Sequence, residues 1–126
     1  MHKSKLAGFI IDCQTDDLPR AADFWGAALG MPVRELPGTE GTTYRKLHDA
    51  HLGLSIEVQK VGHGSRVHLD IESDDVEAEV RRLEQLGAKK VQQINTWWVM
   101  EAPTGQRFCV VPASSARFAE QATEWS

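Results

Sequence analysis

The sequence predicts an α+β domain built from two β-α-β-β-β modules, and three observations carry that prediction. Two stretches read as a strand feeding a helix, at residues 6–30 and 66–87, because alternation by two gives way to a helical period in each. Each helix is followed by three further strand signals. The landmarks also repeat: Asp17 falls on Asp75 and Asp12 on Asp70 at an offset of 58, and Gly30 falls on Gly87 at 57. Later the offset drops to 52, where Gly53 meets Gly105, and the shortfall falls in the loop at 37–42, where insertions are tolerated. The expected architecture is two modules related by a pseudo-twofold, forming a curved eight-stranded open barrel around a groove.

Residues 6–14 put Phe9, Ile11 and Cys13 on one strand face and Ile10, Asp12 and Gln14 on the other. Asp16 or Asp17 caps the helix that follows, Pro19 suits its first turn, Leu18, Ala22, Trp25 and Leu29 form its apolar stripe, and Gly30 ends it. Strand signals then cover 31–36, 43–47 and 52–60, with a turn at 48–51 that holds His48 and His51. Those two histidines read as solvated turn residues. The glycine-rich run 61–65 is the linker between module 1, about 5–60, and module 2, about 66–112.

In module 2, residues 66–73 place Val67, Leu69 and Ile71 on a dry face and His68, Asp70 and Glu72 on a polar one. Asp74 and Glu77 have capping-box spacing, Val76, Val80 and Leu83 share a stripe, and Gly87 supplies a left-handed stop. Strands at 89–94, 96–101 and 107–112 complete the module, with a turn at 103–105. Residues 113–126 read as a helical tail, with Phe118, Ala122 and Trp125 at helical spacing, and the whole of 1–126 reads as a single domain.

A net charge of −4 and a pI near 5.7, with no basic patch, exclude nucleic acid and an anionic membrane surface as partners. No apolar run is long enough to span a membrane, and the start lacks the apolar core of a signal peptide, so the expected compartment is the cytoplasm. Cys13 and Cys109 have neither disulfide-framework nor zinc-site spacing and read as two buried thiols.

The repeat sorts the faces of the later strands too. Leu54, Ile56 and Val58 face the helix while Glu57 faces away; Phe108 and Val110 oppose Arg107 and Cys109. The polar faces therefore gather Ile10, Asp12, Glu57, His68, Asp70 and Cys109 around the expected groove, a setting for a small-molecule ligand. Asp12 and Asp70 are also candidates for pairing with Arg66 or Arg107. Trp97 and Trp98 are adjacent in a strand, so only one reaches the groove, and Trp98 is assigned there.

Paired modules, the strand segment His68-Leu69-Asp70 before a helix ending Leu86-Gly87-Ala88, and the late run Ala102-Pro103-Thr104-Gly105-Gln106-Arg107-Phe108-Cys109-Val110-Val111 resemble the vicinal oxygen chelate superfamily, and within it the glyoxalase-like domain proteins. The likeness covers residues 6–112. That superfamily includes glyoxalase I, extradiol dioxygenases, epimerases and metal-free antibiotic-binding proteins, so the fold alone does not choose a function. The resemblance implies four metal-ligand positions, which fall on Ile10, Glu57, His68 and Cys109; only His68 and Glu57 carry the expected residue types. Ala102 and Cys109 also stand where the family's late motif has Asp and Glu.

The expected function is thus a metal-independent, small-molecule-binding glyoxalase-like protein, without a cofactor and with turnover left open. His68 and Glu57 are the catalytic candidates. The alternative is a lyase or isomerase of the glyoxalase type that holds a divalent metal such as Zn, Ni, Mn or Fe with His68 and Glu57, or with Cys109 as a third ligand. A second alternative is an antibiotic-binding resistance protein. The resemblance further implies a homodimer.

Overall fold

The structure, a computed structural model, describes residues 1–49 and 53–126. The expected turn position of His51 and strand start at Leu52 lie outside the described residues. The elements run β1 (His2–Gln14), α1 (Leu18–Leu29), β2 (Val33–Glu35), β3 (Tyr44–Leu47), β4 (Ser55–Val61), β5 (Arg66–Ser73), α2 (Val76–Gln85), β6 (Lys89–Ile94), β7 (Trp97–Glu101), β8 (Arg107–Pro112), α3 (Phe118–Gln121) and β9 (Thr123–Trp125). This is an α+β chain with the β-α-β-β-β order twice over. The loop at 37–42, where the sequence offset changes, carries a short 3-10 turn over Gly38–Thr42.

The chain divides into two compact units, residues 8–67 and residues 1–7 with 68–126. In the first, β1 runs parallel to β4, β4 antiparallel to β3, and β3 antiparallel to β2. Gly8 makes the parallel pair possible, since a Cβ there would overlap the backbone carbonyl of Ser55. Asp17 caps α1 by accepting from the Arg20 amide at 3.1 Å, and Gly30, at φ 69°, closes it in the left-handed region. Leu18 and Ala22 of α1 meet Ile11, Leu47, Ile56 and Val58 in one apolar core, with Phe9, Cys13 and Trp25 at its margin. The predicted face assignment of β1 and β4 holds throughout this unit.

In the second unit β5 runs parallel to β8, β8 antiparallel to β7, and β7 antiparallel to β6. The repeat is therefore one of strand pairing as well as of sequence. Val80 and Leu83 of α2 pack on Met100 and Val110, with Ile71, Val76, Trp98 and Phe108 around them. Two local expectations are corrected here. The helix cap is Asp75, which accepts from the Ala78 amide at 3.0 Å, whereas Asp74 accepts from the Lys3 amide at 2.8 Å. The dry face of β5 is dry only at Ile71: Val67 and Leu69 are 58% and 50% exposed.

The tail also departs from the helical reading. Only Phe118–Gln121 is helical, and Thr123–Trp125 forms β9, antiparallel to His2–Ser4. That pairing extends β1 four residues before its expected start at Leu6, because β9 satisfies backbone groups that an isolated N-terminus would leave to water. The Trp125 indole donates to Ser4 Oγ at 2.8 Å and lies beneath the Arg82 guanidinium, 3.8 Å from its ring centroid. No helix among the described residues is long and apolar enough to cross a membrane.

Candidate functional site

The residues expected at one groove belong to both units, and each set is fixed by its own strands. In the first unit, Ile10 and Asp12 lie on the β1 face opposite α1, and both are buried. Asp12 pairs with Arg66, Nε to Oδ2 3.5 Å, which is one of the two pairings the sequence left open. Glu57 is half-buried on β4, directly opposite Ile10 on one side and Lys46 on the other. Cys13 points to the α1 side, and burial raises its thiol pKa, with the Asp12 charge adding to the rise and a Trp25 contact opposing it. Cys13 and Cys109 are both half-buried, not the fully buried thiols the sequence suggests, and Cys13 sits at the margin of the core.

In the second unit, alternation along β5 and β8 turns His68, Asp70 and Cys109 away from α2, since Ile71, Phe108 and Val110 turn toward it. Asp70 stands directly opposite Cys109 in the parallel ladder, and His68 lies two residues earlier on the same strand face. One donor atom from each of the three side chains, nitrogen, oxygen and sulfur, falls within 4.8 Å of the other two, and all three residues are half-buried. His68 Nε2 is 3.5 Å from Asp70 Oδ1. Asp70 thus faces an imidazole; Arg107, the other candidate partner, pairs with Glu101 at 3.4 Å. A carboxylate beside an imidazole orients the ring.

The ladder also refines the repeat. Ile10 opposes Glu57 in the first module, but Cys109 is opposed by Asp70 and not by His68. Measured from the helix caps, Ile10 corresponds to His68; measured along the ladder, it corresponds to Asp70. The difference of two residues preserves the strand face, so it brings Asp70 beside the thiol without turning any side chain over.

Trp98 does not join this face. It packs with the α2 core, donates from Nε1 to Glu77 Oε1 at 3.1 Å, and has Lys90 Nζ 4.8 Å from its ring centroid. The reason is register: Trp98 opposes Val110, and the turn at 102–106 fixes that pairing. Alternation then leaves Trp97, not Trp98, on the side of Cys109. Glu77, expected in a capping box, is engaged by this indole instead.

Two buried carboxylates were missed as organisers of the second unit. Glu72, on the polar face of β5, accepts from the Ser114 and Ser115 amides at 3.1 and 3.0 Å and from Ser115 Oγ at 2.7 Å, with Lys5 Nζ 3.9 Å away. Glu79, fully buried on α2, takes two bonds of 2.8 Å from Arg82 and one contact of 2.8 Å from His2 Nε2. Burial alone would raise the Glu79 carboxyl pKa; hydrogen bonds from Arg82, His2 and Ser4, with the Arg82 charge, hold it below the ordinary glutamate value. The signal for Glu79 was its position beside Val80 on the apolar stripe, where a charge requires partners.

The four metal positions implied by the family resemblance do not make a ligand set here. Ile10 offers no lone pair, and a one-residue slip to Phe9 or Ile11 would offer none either.

Comparison with known proteins agrees with the fold. The sequence model of the glyoxalase-like domain family matches residues 8–111. A hypothetical protein, BH1468, from Bacillus halodurans C-125 superposes with a TM-score of 0.64 at 12% identity, over 96% of this chain and 99% of that one. Methylmalonyl-CoA epimerase from Mycobacterium tuberculosis gives 0.61 at 17% identity, covering 86% and 90%. A glyoxalase/bleomycin resistance protein/dioxygenase superfamily member from Vibrio splendidus 12B01 gives 0.51 at 16%, covering 81% and 96%. These likenesses show the fold. No curated protein matches the chain significantly.

Proposed function

From the premise that the chain belongs to the glyoxalase-like domain family, we propose that it binds a small molecule through the polar strand face of its second module, without the family's four-point divalent ion. The observation that carries this reading is the half-buried cluster of His68, Asp70 and Cys109 on the face opposite α2. A face committed only to packing would be filled by apolar side chains, as the α2 side of the same strands is. Here an imidazole, a carboxylate and a thiol converge instead. His68, oriented by Asp70 at 3.5 Å, supplies a donor or acceptor to an oxygen-bearing ligand, and Cys109 supplies a small polarizable wall.

The fold neighbours suggest where to begin a search. Chelator-treated protein is screened by thermal shift against methylmalonyl-CoA, bleomycin and a panel of small 2-oxo and 2-hydroxy acids. A true ligand present at 100 times its Kd stabilises by about 2.7 kcal/mol. The expected result is a shift with at least one class that is lost in His68→Ala. No shift with any compound, or one unchanged in both His68→Ala and Asp70→Asn, overturns the reading. A shift confined to bleomycin favours a resistance protein, and one confined to methylmalonyl-CoA calls for an isomerase assay.

A further inference from the structure

We propose that the ligand of the second module is an elongated aromatic carboxylate, its acid group held beside His68 by Arg107 and its ring system laid over Trp97. This rests on the ligand-binding reading and names the class of ligand.

Strand register divides the face opposite α2 into three rows that cross the sheet. At one end Arg107 stands in step with His68, continuing the register that pairs Leu69 with Phe108, and directly opposite Glu101. In the middle Cys109 lies between Asp70 and Val99. At the other end Val111 opposes Glu72, with Trp97 next in register across β7 and opposite Ile94. Residues directly opposed in a ladder share a face, so these side chains all leave the sheet on the side away from α2.

The face therefore changes character along its strands. The last row is apolar: Val111 and Trp97 are half-buried, Ile94 is 36% exposed, and the one charge there, Glu72, is already met by Ser114, Ser115 and Lys5. The Trp97 indole has no hydrogen-bond or ring partner among the described residues, whereas Trp98 has Glu77 and Lys90. A half-buried indole in that state is a stacking surface for a flat ligand.

The first row is charged. Arg107 meets Glu101 through Nε at 3.4 Å, which leaves the terminal nitrogens of its planar fork for a ligand carboxylate. His68 adds a donor beside it. The carboxylates nearby, Asp70 and Glu101, are already engaged by His68 and Arg107, and Lys89, opposite Glu101, contributes a further positive charge at that end. From Arg107 to Val111 is about 13 Å of strand. A short 2-oxo acid occupies one end only; two linked rings bearing a carboxylate reach both.

The test uses three probes. Full-length protein is titrated by calorimetry with biphenyl-4-carboxylate, its neutral counterpart biphenyl-4-methanol, and pyruvate as a short acid. The expected result is that the biphenyl acid binds about tenfold or more tightly than either of the others. Trp97→Leu removes about tenfold from its affinity and leaves that of pyruvate unchanged, Trp97→Phe retains most of it, and Trp98→Phe, on the α2 side, changes neither. Arg107→Gln abolishes the advantage of the acid over the alcohol. No binding of the biphenyl acid, an advantage for the rings that survives Trp97→Leu, or an advantage for the acid that survives Arg107→Gln overturns the proposal. Circular dichroism establishes the fold of each variant, and either the Trp97 or the Arg107 arm suffices. Pyruvate that binds through His68 with no gain from the rings overturns this proposal alone and leaves the ligand-binding reading standing. Biphenyl acid binding indifferent to both His68→Ala and Asp70→Asn overturns that reading and this proposal with it.

Discussion

The two modules share a connectivity and a strand order, and they use the strand face opposite the helix for different purposes. At matching ladder positions the first module has Gly8, Ile10 and Glu57, and the second has His68, Asp70 and Cys109. One presents a close backbone approach, a buried isoleucine and a single half-buried carboxylate; the other presents an imidazole, a carboxylate and a thiol. The helix sides differ as well. Ala22 in α1 and Val80 in α2 are equivalent from the caps and both fully buried, but beside them stand Ala21 in one and the buried Glu79 in the other. A repeated backbone constrains where side chains point far more tightly than what they are. Chemistry can therefore be concentrated in one copy while the other keeps the architecture.

The largest expected effect breaks the comparison at that helix. Glu79→Ala strands Arg82 and His2 and should cost ~3–5 kcal/mol in urea denaturation, a penalty with no counterpart at Ala21. The pH dependence has a definite sign. The folded carboxyl titrates below its unfolded value, so its stabilisation is complete above the ordinary glutamate range and is lost as pH falls through the lowered folded value. Glu79→Gln should flatten that acid limb. Next, Leu47→Ala and Met100→Ala truncate the fully buried centre of one core each and should cost ~2–5 kcal/mol apiece. A large inequality between them would show that the two cores collapse differently around a cavity.

Gly8→Ala tests the first module's backbone approach. The added Cβ must push the Ser55 carbonyl aside, at an expected cost of ~1–3 kcal/mol measured by thermal or urea unfolding. A neutral result would mean that β1 and β4 separate without penalty. The smallest effect is at Trp98→Phe, which keeps an aromatic ring against the α2 core, removes the exposed bond to Glu77 and trims the ring beside Lys90, ~0.5–1.5 kcal/mol. If Trp98 belonged to the ligand-binding face, this variant would change ligand-induced thermal shifts; none is expected.

Much of the fold was legible because strands and helices have different periods and the chain states them twice. The cap at Asp17, the stops at Gly30 and Gly87, and the faces of β1, β4 and β8 follow from rules that involve only near neighbours in sequence. Of the site, the strand face of His68, Asp70 and Cys109 was readable for the same reason. Trp98 was not, because alternation separates two faces without saying which one meets the helix. That depends on the pairing of Trp98 with Val110 across a turn. The tail was misread because Phe118, Ala122 and Trp125 have helical spacing, while the partner that draws 123–125 into a strand, His2–Ser4, is at the other end of the chain.

The sequence by itself determined the duplicated β-α-β-β-β order and the two-sided strands, since each is a property of residue type and local period. Only the tertiary structure decided that Asp70, not His68, stands opposite Cys109, and that Glu79 has the company of Arg82 and His2. Register between strands and the burial of a charge are set by which distant segments meet, and a two-residue difference in register leaves the alternation of the sequence unchanged. The cluster of His68, Asp70 and Cys109 follows from that one choice of register.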